Sequence, residues 1–343
     1  MLIAIGIFWC FHAPAVGIPH FTIDGIANSA EVIVVADVTK VRDVGPAPPV
    51  RFHNVSLAAE AYSAELSVLR TIKGTVSSNI FVAYAFPKTF VGYNGLRPGV
   101  RMVFLSRQVD HYTLANPYYS SFPAELAPPE VTGQRNEISD LVLSNMLAVV
   151  ASSNASTSAK REILRVDYAL PSTKETIEAL RKGLNVSADR ELSGRIQGDL
   201  IRFGDLSQLP EVVKLITEGT AGSSEQEWLL YVLANYVRDP RAVQMLVPLL
   251  TSSQAKLREV AASVLWHIAD PAAVPALVRD LDDPDNMVRF YAVRGLSDIA
   301  NEYGWGGPSE QEFREHEQKY LTHWKTWARR RGTGEPRSSI HPD

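Results

Sequence analysis

Cysteine is almost missing from this sequence. The single one, Cys10, lies in the apolar opening MLIAIGIFWCFHAPAVG. If that opening is removed after Ala15, no cysteine remains, which excludes disulfides, thiolate metal sites and a cysteine nucleophile. An excess of positive charge is missing too: the formal net charge is −4, and the one dense basic run is Arg329-Arg330-Arg331. Nucleic-acid binding depends on neutralising phosphates with a basic face, so no nucleic-acid partner is expected, and the arginine run reads as a solvated tail. Catalytic signatures are equally scarce. The chain has no Gly-x-Ser-x-Gly elbow, no Walker loop and no Gly-x-Gly-x-x-Gly turn after a strand. His316-Glu317 begins a zinc-protease helix motif, but Tyr320 stands where the second histidine must be, so no metal clamp forms. GWGGPSE at 304–310 follows a helical stretch and reads as a breaker. The expectation is a protein that is not an enzyme and takes neither cofactor nor metal.

The apolar opening is too short to span a bilayer and ends in the small-residue pattern Ala13-Pro14-Ala15. That is the form of a secretory signal peptide over residues 1–15, although no Lys or Arg precedes the apolar run. The residues before Cys10, Ile7-Phe8-Trp9, do not form a lipoprotein cleavage box. Export implies a periplasmic or secreted protein with no integral membrane segment after cleavage. Asn-x-Ser sequons at Asn54, Asn154 and Asn185 do not by themselves establish a eukaryotic secretory origin, and the cysteine-poor repeats read as bacterial.

Within a first domain expected over residues 24–116, the pattern from Glu31 to about Ala115 has period two or is short, apolar and β-branched. EVIVVADVTKV, AYSAELSVLRTIKG, IFVAYAF, VRMVFLSR and HYTLAN are five candidate strands, with Gly and Pro in the turns between them. Closing five short strands into a small barrel removes their exposed edges. In order and spacing the segment resembles the netrin-like, OB-type barrels of metalloproteinase inhibitors and of many exported bacterial proteins. The residues that carry this are Ile33–Val38, the Leu69–Gly74 strand end with Lys73-Gly74, and the strand from Gly99 to Leu105. The inhibitors chelate the protease metal through an N-terminal cysteine that this chain lacks in that place, so protease inhibition is not carried over. Residues 117–136 are rich in Pro and Ser and read as a linker, with Tyr118, Tyr119 and Phe122 packing on the barrel.

From Glu137 the apolar spacing turns helical. A connector over 137–187 is followed by a solenoid over 188–302, a capping helix over 303–332 with Phe313, Tyr320, Trp324 and Trp327 as an apolar stripe, and a disordered tail over 333–343. The solenoid repeats itself at an offset of thirty-one residues. Asp239-Pro240 falls on Asp270-Pro271, Leu246 on Leu277, Arg258 on Arg289, Ala261 on Ala292 and Leu265 on Leu296. Each unit is two helices that cannot bury their apolar faces alone. The pattern resembles the HEAT family in its short form, known from phycobilin lyases and bacterial scaffolds, whereas the longer HEAT class has a period of roughly 40–47. The fold class expected is therefore α+β multidomain: a small N-terminal β-barrel followed by a C-terminal α-solenoid of HEAT-like repeats.

Two functions follow. The first is a scaffold that binds a protein partner on the inner face of the solenoid, through Trp228, Asn235, Glu259, Trp266, Phe290 and Arg294. In the repeat frame Trp228, Glu259 and Phe290 form one column, and Asn235, Trp266 and Ser297 another. Asp239, Arg258, Asp270 and Arg289 recur at fixed positions and read as structural, the arginines bonding to loop acids such as Asp239, Asp270 or Asp283. The second is a bilin lyase-like enzyme, implied by the repeat resemblance alone, with no local residue set behind it.

Overall fold

The computed structural model describes residues 22–52, 55–87, 95–116, 119–126, 138–165, 170–302, 304–305 and 307–333. The apolar opening with Cys10, the sequon Asn54, Tyr118, most of the 117–136 stretch and the tail from 334 lie outside the described residues. The chain divides into two compact units, with the boundary between Pro171 and Ser172.

The first unit opens with α1 (Ile23–Ser29), where the Thr22 hydroxyl accepts a hydrogen bond from the Gly25 N–H at 3.0 Å. One six-stranded sheet follows: β1 (Val32–Phe52), β2 (Val55–Lys73), β3 (Asn79–Pro87), β4 (Gly99–Arg107), β5 (Tyr112–Leu114) and β6 (Ser121–Pro123). β1 pairs antiparallel with β2 and β4, β2 with β3, and β4 with β5 and β6. β3 also meets β5 in a parallel pairing at Val82 and Tyr112, so the pairings run from β1 through β2, β3, β5 and β4 back to β1. Alternation decides which side is buried. Val32, Val34, Ala36 and Val38 face Leu66, Val82, Val103 and Leu105 in one apolar cluster. Lys73 closes β2 by donating from Nζ to the carbonyls of Ala27, at 3.0 Å, and Ala30, which satisfies the end of α1.

Three elements here differ from the sequence expectation. β6 lies in the stretch expected to be a linker, where Ser121, Phe122 and Pro123 are buried and pair with Val103, Met102 and Arg101. Three residues are too few to show a period, and Pro and Ser masked the strand. The short helices α1 and α3 (Thr157–Leu164) were also not anticipated. Both are started by a hydroxyl cap, Thr22 and Ser156. α2 (Ile138–Ala151) and α3 belong to the first unit. Arg101 on β4 donates to Ser121 Oγ at 2.8 Å and pairs with Glu162 of α3, and Arg70 on β2 donates to Asn145 Oδ1 of α2 at 2.5 Å.

The second unit is helical throughout its described residues: α4 (Lys174–Asn185), α5 (Arg190–Arg202), α6 (Leu209–Thr217), α7 (Ser223–Tyr236), α8 (Val243–Leu246), α9 (Ala255–Ile268), α10 (Val274–Asp280), α11 (Asn286–Ala300) and α12 (Glu310–Thr333). Short 3-10 turns introduce α6, α8 and α10. Each is capped by an aspartate whose side chain accepts a backbone N–H: Asp205, Asp239 and Asp270. Pro240 and Pro271 sit at the first turn positions, where a missing N–H costs nothing. α5, α7, α9 and α11 pack in succession as one layer, with α6, α8 and α10 against them. Leu246, Leu265, Leu277, Leu296, Ala261 and Ala292, the residues that match at thirty-one, are fully buried in one continuous core. The helical solenoid-like region expected from the repeat is therefore present. α12 closes its end with Phe313, Tyr320 and Trp324, and the Trp324 indole N–H donates to the Trp305 carbonyl at 3.0 Å.

Candidate functional site

The second helix of each repeat, α7, α9 and α11, carries the aromatic positions singled out from the sequence. Trp266 on α9 is half-buried and is the best connected. Its indole N–H donates to Asp298 Oδ2 of α11 at 2.7 Å, and its ring stacks on Tyr291 with centroids 5.7 Å apart. The Arg294 guanidinium lies 4.1 Å from the centre of the same ring and 5.7 Å from that of Phe290. His267 stands at the rim, exposed, its Nδ1 2.7 Å from the Ser263 carbonyl. Close approach of α11 to α9 is possible because Gly295 has no side chain: a Cβ there would stand 3.3 Å from Trp266 Cα, and 2.8 Å from Leu277 Cδ1 of α10.

Trp228 on α7 belongs to a separate cluster. It stacks on Tyr231 with centroids 5.8 Å apart and has the Arg195 guanidinium 3.9 Å over its ring. Its indole nitrogen rests on Gly198 of α5, where a Cβ would stand 2.2 Å away. Tyr231 is 45% exposed and Tyr236, 6.1 Å from it, 37%. Asn235 is exposed and donates to the Tyr231 carbonyl at 2.7 Å. Glu259 sits at the surface of α9 with Lys256 Nζ 3.0 Å away.

Phe290 departs from its column. It is only 6% exposed and packs on Phe313 of α12 with centroids 5.5 Å apart. Ser297 is fully buried. The repeat frame places these residues as equivalents of Trp228 and Trp266, but the last repeat is covered by α12, so equivalent positions meet different neighbours. Tyr291, Asp298, Tyr231 and Tyr236 were not selected from the sequence. Asp298 lies four residues beyond Arg294, and that spacing on one helix face is the signal that could have found it.

The four structural positions sit at the repeat joints. Asp239 Oδ1 accepts the Arg241 N–H at 2.9 Å, and Asp270 Oδ1 the Ala272 N–H at 2.8 Å. Arg258 donates to the Ser252 carbonyl at 2.9 Å and to both carboxylate oxygens of Asp283. Arg289 does the same one repeat later, donating to the Asp283 carbonyl at 2.7 Å and pairing with Glu317 of α12. Arg258 thus takes the Asp283 carboxylate and Arg289 that of Glu317, while Asp239 and Asp270 cap their own turns.

Apart from these faces, a cavity of about 480 Å³ lies among Ile177, Phe203, Leu206 and Met245, with Arg181 and Arg241 at its edge. Each arginine is already matched, Arg181 with Asp205 at 2.8 Å and Arg241 with Asp239 at 2.6 Å. Among the described residues no group of three or more His, Cys, Asp or Glu is placed to hold a metal ion, and no helix is long and apolar enough to cross a membrane.

A solved structure of an engineered protein from the Northeast Structural Genomics Consortium is 22% identical over 57% of this chain and 49% of its own, with a TM-score of 0.28. The chain thus spans about half the length of that relative. No curated protein matches it. Residues 243–304, which hold α8 to α11, match the family of HEAT repeats, modules that generally mediate protein–protein interaction and are typically not catalytic.

Proposed function

We propose that this protein is a non-catalytic scaffold that binds a protein partner on the layer of second helices, α7, α9 and α11. The observation that carries this is the cluster on Trp266. A half-buried indole, pinned by Asp298 and covered by Arg294, is the kind of rigid aromatic–arginine anchor that dominates binding at protein interfaces. Exposed Tyr231 and Tyr236 extend the same layer with two further aromatic side chains. The match to HEAT repeats supports the same class of function. The proposal extends to an extracytoplasmic site of action, supported by the apolar opening and the lack of cysteine after it. It extends also to closure of the N-terminal sheet as a small netrin-like, OB-type barrel, supported by the cycle of strand pairings.

Site-specific photocrosslinking in the native host tests the docking face. A crosslinking residue at His267 or Asn235, both exposed on the second helices, is expected to trap one discrete protein adduct. The same residue at Gln244, exposed on α8, is expected to trap none. Equal adducts from all three positions would remove the second-helix face from consideration.

A further inference from the structure

Among the described residues Arg294 is the cation over the Trp266 ring, and its partners are aromatic rings and not an acid. The carboxylates nearby are engaged elsewhere: Asp298 accepts from the Trp266 indole at 2.7 Å, Glu259 pairs with Lys256 at 3.0 Å, and Glu310 pairs with Arg314 at 2.9 Å. Among the described residues no hydrogen-bond acceptor meets Arg294, and its Nε lies buried under the aromatic rings with its donor unspent. The remaining guanidinium donors are on the half-buried side chain over the Trp266 ring, which the exposed His267 ring also meets with centroids 4.2 Å apart. Arg258 and Arg289, on the same two helices, each take a carboxylate and two carbonyls, so Arg294 differs from its neighbours in what it leaves open.

We propose that this position receives a carboxylate from the partner protein, an Asp or Glu side chain flanked by apolar residues. A guanidinium held flat against an indole is fixed in orientation. It presents its N–H donors as a planar fork, which matches the two oxygens of a carboxylate. Trp266 and the methylenes around it supply the apolar surface for the flanking side chains and lower the local dielectric, so an arriving carboxylate is bound more strongly than it would be in water. The charge on the partner is therefore negative at this point, whatever its sequence elsewhere. This inference rests on the docking face proposed above and narrows its partner.

The test follows the six indole N–H signals of the full-length protein by NMR, with the Trp266 signal assigned from Trp266→Phe. The probes are the capped peptides acetyl-Ala-Leu-Glu-Leu-Ala-amide and the same peptide with Gln in place of Glu. The expected result is a saturable shift of the Trp266 signal with the Glu peptide and at least roughly tenfold weaker binding of the Gln peptide, the ratio that about 1.4 kcal/mol represents. Arg294→Gln, checked for folding by thermal melting, should erase that preference, while Arg294→Lys should keep part of it. Equal shifts from the two peptides, or a Glu preference that survives in Arg294→Gln, would overturn the acid site while leaving the docking face to the crosslinking result. A Trp266 signal unmoved by millimolar Glu peptide would overturn it as well.

Discussion

Asp283 is held by Arg258 at two points, Nε to Oδ2 at 2.8 Å and a terminal nitrogen to Oδ1 at 3.0 Å, across the joint between two repeats. Both side chains are largely buried, with 11% and 8% exposed. Arg258→Ala strips Asp283 of this partner and leaves the Ser252 and Ser253 carbonyls without their donor. Removing one member of a buried pair costs about 3–5 kcal/mol. Arg258→Lys recovers only part, because an ammonium cannot span two oxygens and two carbonyls at once. Urea unfolding should rank wild type above Arg258→Lys and that above Arg258→Ala.

Asp280, close by, titrates in the opposite sense to Asp283. Burial, reinforced by the charge of Asp283, raises its carboxyl from the ordinary 3.8 to about 7. Burial also pulls on Asp283, but hydrogen bonds from Arg258 and the Asp285 N–H hold that carboxyl below its usual range. Because the folded value of Asp280 lies above the unfolded one, its favourable contribution is complete below about pH 4 and is lost as pH rises to 7. Asp283 contributes above the usual carboxylate range and its contribution is lost as pH falls below it. Asp280→Asn removes the ionisation. It is expected to be more stable than wild type at pH 8 by at least about 1 kcal/mol, within an upper bound near 4 kcal/mol set by roughly 1.4 kcal/mol per pKa unit. The gain should vanish at about pH 4. Melting curves at the two pH values decide it: a variant no more stable than wild type at pH 8 contradicts the assignment.

Gly74 turns β2 toward the next strand with φ at +79°, and a Cβ there would stand 2.8 Å from the Glu31 carbonyl oxygen. Gly74→Ala meets both a left-handed backbone and a backbone atom that cannot swing aside, with an expected loss of about 1–3 kcal/mol. Gly219, also left-handed at +63° but with nothing within 4 Å, should lose less on the same substitution. Chemical denaturation of the two variants gives the comparison.

Trp324 on α12 is fully buried, and Trp327 on the same helix is only partly so. Truncating Trp324 to Ala is expected to cost about 3–5 kcal/mol, and truncating Trp327 clearly less. A thermal melt in which the two variants coincide would falsify the capping role given to Trp324.

What the sequence revealed depended on period and length. The thirty-one-residue offset marked α8 to α11, because leucines such as Leu246 and Leu277 must occupy the same buried position in each unit. Short apolar, β-branched or alternating runs marked β1 to β4: burial alternates along β3, whereas Val32–Ala36 of β1 and Arg101–Leu105 of β4 are buried without a break. β6, α1 and α3 had neither length nor repetition. The site was legible in part. Trp228 and Trp266 stand out as large aromatics on second helices, but exposure is set by what covers a residue, and the sequence does not show that α12 lies over Phe290. Arg294 was picked out only as one of the inner-face residues; that the acids near it are engaged by other groups is something only the packing reveals.

The arginine contacts also have a direction. Arg258 reaches forward to an acid in the following loop, and Arg289 reaches forward to Glu317 in α12. Each repeat thus depends on the one after it for the counterion of its own loop arginine. Trimming the chain from its C-terminal side would first release Asp282 from Lys325 and remove Trp324 from the core, then strand Arg289 and expose Phe290 as Glu317 and Phe313 are lost, so the helical region should fray like a zipper opened from that end. The segment from Glu310 onward is in this sense the closing stitch of the array, and a shortened protein would need a substitute acid at that place to hold its last turn.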